Sequence, residues 1–191
     1  MKIDLTQGIL SRLYTDSVFR NDFIKDKELF YKKYSVSSDE TIKFIEALPV
    51  DQIVFFAQSL LSKRIHEVKA LLPLSHKLIG KNSRNLFLVY AESYIPKGIH
   101  KHHDDAQHFA DYLLKQEQLS EDKNINHFIH WVLKYELHRT NNFINPKKYL
   151  FYSYPYDFVN HYSALLKTDN IKVLPKKRIV SFWINGKILK F

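Results

Sequence analysis

The densest set of side chains that could do chemistry runs from His100 to His108 and comprises His100, His102, His103, Asp104, Asp105 and His108. On a helix Asp104 and His108 stand one turn apart, a spacing that lets a carboxylate and an imidazole chelate one metal ion. With His102 and His103 they would make the ligand set of a metal-dependent enzyme. The plainer reading is that Asp104 and Asp105 complement the positive end of a helix while the imidazoles are solvated. His127 and His130 form an HxxH pair, but no acidic residue at ligand spacing follows on that helix. His66, beside Glu67, falls on the outer side of another helix. No serine sits in a nucleophile elbow, no glycine-rich loop could cradle phosphate, and no zinc-ligand pattern is present. The chain has no cysteine, which removes disulfides and thiolate chemistry. Glu40, Glu46, Glu67 and Glu92 lie on different predicted helices. The residues give no case for catalysis by this chain alone.

A different kind of signal lies at the C-terminus, in YLFYSYPY and IVSFWINGKILKF. Asn185-Gly186 between apolar runs predicts a hairpin, because both turn positions need positive φ. Alternation then puts Ile179, Ser181 and Trp183 on one face and Val180, Phe182 and Ile184 on the other. Both faces carry large apolar groups, so one can pack on the body of the protein while the other covers a neighbour or meets a partner. A small sheet also has edges, and an edge can accept an added strand from a peptide. The region expected to receive it is Arg178, Ile179, Val180, Ser181, Phe182, Trp183 and Ile184, with Lys176 and Lys177 adding attraction for an acidic segment. The plainer reading is that the aromatics only seal a small sheet on the bundle.

These groups must be positioned by helices. Asp51 to Gly80 is the most regular stretch, with Ile53, Ala57, Leu61, Ile65, Val68 and Leu72 at spacings of three and four. Asp51 is read as its N-cap and Pro73 as its stop. Phe56, Leu60 and Leu71 widen the stripe, which predicts a central, mostly covered helix. Arg64 falls inside the stripe; its stem is expected to pack while its head snorkels to water or an acidic partner. Upstream, Asp4 with Gln7, Asp16, Asp26, and Ser37 with Glu40 read as helix starts. Downstream, helices are predicted over Arg84–Ile95, His102–Gln116 and Ile125–Thr140, with a turn-rich connector at Asn141–Lys148. A strand at Tyr149–Tyr154 ended by Pro155, a short helix capped by Asp157, a strand at Ile171–Leu174 and the hairpin complete the chain. The expected fold is α+β: a helical bundle over 1–118, then a helix and a small antiparallel sheet over 119–191.

FAQSLLSKRIHEVKALLPLSHKLIG, followed by LFLVYAESYIPKGIHKHHDDAQHFADYLL, resembles a family of small helical bacterial proteins encoded beside multinuclear non-haem iron enzymes that modify ribosomally made peptides. The pattern covers roughly the first 115 residues, and it carries no catalytic signature. In size and in its C-terminal half the chain is similar to the MbnC-like partner proteins of methanobactin biosynthesis. That resemblance implies a heterodimer with an MbnB-like iron enzyme and help in holding the leader of the precursor peptide. It places iron in the partner enzyme and no cofactor in this chain. The implied reaction turns precursor cysteines into oxazolone and thioamide groups.

Composition bounds these readings. The 191 residues are 45% hydrophobic and 15% aromatic, with only four glycines and six prolines, which argues for a real core and against a disordered chain. A net charge of +9 would attract nucleic acid, an anionic membrane or an acidic protein. The positive residues are dispersed, however, and no long basic block makes a nucleic-acid arm. A basic nucleic-acid-binding regulator is the competing reading, motivated by the lysine-flanked aromatics. The N-terminus lacks the features of a signal peptide, and no run approaches a membrane span, so the expected location is the cytoplasm.

Overall fold

The computed structural model describes residues 3–144, 149–184 and 187–190. Among them the elements run α1 (Ile3–Thr15), α2 (Ser17–Lys25), α3 (Lys27–Lys33), α4 (Asp39–Glu46), α5 (Val50–Leu71), α6 (Pro73–Ile79), α7 (Asn82–Ser93), α8 (Lys101–Leu114), α9 (Lys123–Ile144), β1 (Leu150–Tyr156), α10 (Phe158–Lys167), β2 (Lys176–Ile184) and β3 (Lys187–Lys190). The fold is α+β, helices first and a three-stranded antiparallel sheet at the C-terminal end, in the order β1-β2-β3. The chain forms two compact units, residues 1–65 with 91–95 and residues 66–90 with 96–191. Residues 118 and 119, where the composition changes, both lie in the second.

The first unit is built by local capping. Asp16 Oδ1 accepts from the Phe19 N–H and Asp26 Oδ1 from the Leu29 N–H, each at 2.9 Å, so each aspartate satisfies an orphan donor of its helix. Two expected starts move by a residue or so. α1 begins at Ile3, which puts Asp4 inside the helix, and Ser38 rather than Ser37 caps α4. Ser38 has the extended backbone a cap requires, and its hydroxyl accepts from the Thr41 N–H at 3.4 Å. The core is largely aromatic: Phe30 meets Phe19 and Phe23 edge-on, at 4.7 and 5.3 Å between ring centres. The Arg12 guanidinium covers the Phe19 ring at 3.9 Å.

In α5, Ile53 and Ala57 are buried as the spacing predicts, but the helix is not mostly covered. Phe55, Phe56 and Leu60 are 65%, 49% and 42% exposed. The covered stripe is narrower than the apolar composition, because short neighbours leave much of a long helix open. Asp51 lies in the first turn of α5 rather than before it. Arg64 does not end in water: its Nη2 donates to the Tyr94 carbonyl at 3.1 Å. No single helix among the described residues is long and apolar enough to cross a membrane; α4 and α5 reach that test only together, across a bend of 83°.

In the second unit α9 is the axis, with Phe128, Ile129, Val132 and Leu133 fully buried. Pro73 opens α6 and leaves the N–H groups of Leu74 and Ser75 without helical partners. Glu136 of α9 takes both, at 2.8 and 3.0 Å, and also accepts from the hydroxyls of Ser75 (2.5 Å) and Tyr162 (2.6 Å). This buried carboxylate therefore ties α9 to the start of α6 and to α10. Burial pushes its carboxyl upward, and the four donors oppose that push.

Three expectations for the C-terminal half are corrected. α9 runs on through Asn141 to Ile144, so half of the expected connector is helix, and residues 145–148 lie outside the described residues. Pro155 does not end β1: the register shifts between Tyr154 and Tyr156, and the strand continues past the proline. Such an irregularity on an edge strand is where proline is tolerated, since its missing N–H is not needed by the ladder. Ile171–Leu174 is not a strand; Ile171, Val173 and Leu174 instead pack, partly buried, on the core, and β2 starts only after Pro175. The Asn185-Gly186 turn lies outside the described residues.

Candidate peptide-binding surface

The sheet follows from alternation. In β1, Tyr154 and Tyr156 point inward while Phe151 and Ser153 point outward; in β2, Ser181 and Trp183 point inward while Val180 is exposed. The pairing sets Phe151 opposite Phe182, Ser153 opposite Val180 and Tyr152 opposite Ser181. The inner face is anchored by polar handles. Trp183 Nε1 donates to Ser181 Oγ at 3.1 Å, and the Tyr154 hydroxyl shares a hydrogen bond of 2.8 Å with His138 Nδ1. The His138 ring stacks on Tyr152 at 3.6 Å. Desolvation drives His138 down to about 4, since the enclosed ring resists protonation.

The outer face is an aromatic patch. Phe151 is 69% and Tyr149 71% exposed, and both stack on Phe182, at 4.2 and 6.2 Å between ring centres. Arg178 lies across the same face, its Nε donating to Ser153 Oγ at 3.1 Å. The three strands carry Lys176, Lys177, Arg178 and Lys187 and no acidic residue among the described positions. This surface is therefore apolar at its centre and positive at its margin.

Of the residues expected to accept an added strand, Ser181, Phe182 and Trp183 are in the central strand and are paired on both sides, and Ile184 pairs with β3. Their backbone groups belong to the ladder, so they can offer only side chains. Ile179 and Val180 pair with β1 alone among the described residues, as does Lys176. Among the described residues that leaves the segment from Lys176 to Val180, including Arg178, as the part of β2 with an open side. Trp183 and Ser181 are buried on the inner face, away from the outer surface. Tyr149 and Phe151 were not among the expected site residues, although the period of two from Tyr149 through Phe151 to Ser153 marks them as the outward partners of Phe182 and Val180.

The histidine-rich segment does not assemble a site. Asp105 is buried and accepts from the Tyr90 hydroxyl at 2.9 Å, whereas Asp104 and His108 are exposed. His127 Nε2 accepts from Trp131 Nε1 at 3.2 Å, and His130 bonds the carbonyl of Asn126. No three of the described histidines, aspartates and glutamates, His102, His103, Asp104 and His108 included, come together as a group that could hold a metal ion. No known protein family, curated protein sequence or solved structure matches the chain.

Proposed function

We propose that this chain is a non-catalytic, MbnC-like partner subunit of an MbnB-like iron enzyme, and that its C-terminal sheet holds the leader of a precursor peptide. The enzyme supplies the iron and converts precursor cysteines to oxazolone and thioamide groups, in the cytoplasm; this chain supplies recognition. The observation that carries the reading is the outer face of the sheet, where Tyr149, Phe151 and Phe182 form an aromatic stack with Arg178 on the same face. An extended peptide laid beside Lys176–Val180 gains main-chain hydrogen bonds from the open side of β2 and places alternate side chains on the aromatic stack.

The test is co-expression with an MbnB-like iron enzyme. The two should co-purify as a heterodimer, and a fluorescent leader peptide should bind the complex through the chain's sheet. A chain that never associates with that enzyme would sink the reading.

A nucleic-acid-binding role is the second reading, because cations beside stacked aromatics also suit a single strand. Against it, Phe151 and Phe182 sit opposite each other on adjacent strands with their ring faces together, which turns ring edges rather than faces toward an incoming base. Titration with DNA and RNA at two salt concentrations separates the readings, since phosphate-driven binding falls steeply with salt.

A further inference from the structure

The last turns of α9 carry polar groups that the outer sheet face does not use. Tyr135, Arg139 and Thr140 line a cavity of about 430 Å³ together with His103 of α8, Trp183 of β2 and Pro73 at the start of α6. That volume is in the range of small-molecule pockets. Its walls are flat and apolar where Trp183 and Pro73 form them. The Arg139 guanidinium stands 4.9 Å from the centre of the Tyr162 ring, and Tyr162 is itself fixed by its bond to Glu136, so the cation is held in place. Tyr135 and Thr140, only 5% and 9% exposed, add two hydroxyls to its lining.

Among the described residues no carboxylate lines the cavity. Glu136, next in sequence to Tyr135, is directed away from the cavity, its oxygens taken by donors from Leu74, Ser75 and Tyr162. The cavity thus holds a fixed positive charge, an imidazole and two hydroxyls, with no acidic side chain among its described lining residues.

We propose that this cavity binds a small organic anion: a carboxylate with a flat apolar body, its charged end on Arg139 and the hydroxyls of Tyr135 and Thr140, its body against Trp183 and Pro73. A guanidinium takes a carboxylate through two parallel N–H bonds, which fixes orientation as well as charge. An inorganic anion would leave the apolar wall wet, and a neutral aromatic would leave the cation unanswered. The site is separate from the outer sheet face, and the inference stands whether or not that face binds a leader.

The probes are benzoate, phenylacetate and the neutral benzyl alcohol, titrated into the full chain while the Trp183 indole N–H is followed by nitrogen-edited NMR. Both acids should shift that resonance saturably with a Kd below about 1 mM, and benzyl alcohol should bind at least about tenfold more weakly. Arg139→Gln should weaken benzoate about tenfold and bring acid and alcohol level, while Thr140→Val should weaken benzoate by a smaller factor. The proposal is overturned if neither acid gives a saturable shift at millimolar concentration, or if acid and alcohol bind the unaltered chain equally. A folded Arg139→Gln protein that binds benzoate normally overturns it too. If Arg139→Gln does not fold, the acid-to-alcohol ratio of the unaltered chain decides, with Thr140→Val as the second reading.

Discussion

The two faces of the C-terminal sheet are made from nearly the same side chains and have opposite fates. Inside, Tyr154, Tyr156 and Trp183 are almost wholly buried, and the polar ends of Tyr154 and Trp183 are hydrogen-bonded to His138 and Ser181. Outside, Tyr149, Phe151 and Phe182 touch mainly one another. An aromatic residue inside is held by packing on several elements and by a polar partner, so it contributes to the fold. An aromatic residue outside gains little for the fold by staying exposed, and a cluster of them is the ordinary mark of an interaction surface. Composition does not separate the two groups; the parity of the residue number along each strand does.

Breaking the inner face should have the largest effect. Tyr154→Ala, or Trp183→Ala, is expected to cost about 3–5 kcal/mol of folding stability, measured by urea unfolding. An equal loss for Phe151→Ala would erase the distinction between the faces.

The next effect is a pH dependence confined to the inner face. His138 has a depressed pKa of about 4 in the folded chain, against 6.5 ordinarily, so the fold favours the neutral ring. Its contribution to stability is fully present above about pH 6.5, declines as the unfolded ring takes up its proton, and levels off once pH passes below about 4. Because the ring is only partly enclosed, solvent screens some of this, and the change is expected to be about 1–3 kcal/mol. His138→Gln should flatten the stability curve between pH 6.5 and about 4 relative to the unaltered chain. Parallel curves for the two proteins would show that the imidazole is not held neutral by the sheet.

On the outer face the effects should move from stability to binding. Phe151→Ala should change stability by less than about 1 kcal/mol yet weaken leader binding about tenfold, read by fluorescence anisotropy. The smallest effect belongs to the margin: Lys176→Glu with Lys177→Glu should leave the melting temperature unchanged, reduce leader affinity a few-fold and shrink its salt dependence. Leader binding that ignores both changes would move the peptide to another surface.

Features governed by neighbours in sequence were legible in advance. Asp16, Asp26 and Asp157 cap their helices because the group each satisfies is three residues away. The inward turn of Ser181 and Trp183 followed from a period of two. Residues whose role depends on distant elements were not legible. Phe56 and Leu60 carry the spacing of a covered stripe, but whether anything covers them is set by the length and placement of other helices. The order β1-β2-β3 made β2 the central strand, and that alone decides that Ser181–Trp183 cannot take an added strand while Lys176–Val180 has an open side among the described residues.

The sequence by itself determined the α+β class, the run of short capped helices and a terminal sheet with two apolar faces, because backbone hydrogen bonding and side-chain periodicity act within a few residues. Only the tertiary structure decided that Glu136 reaches across 61 positions to Ser75, that the histidine-rich segment is not gathered into one group, and that Arg139 faces a cavity shared with His103 and Trp183. Those outcomes depend on which helix faces meet, and burial energy summed over many side chains sets that, with no trace at the spacing of any single motif.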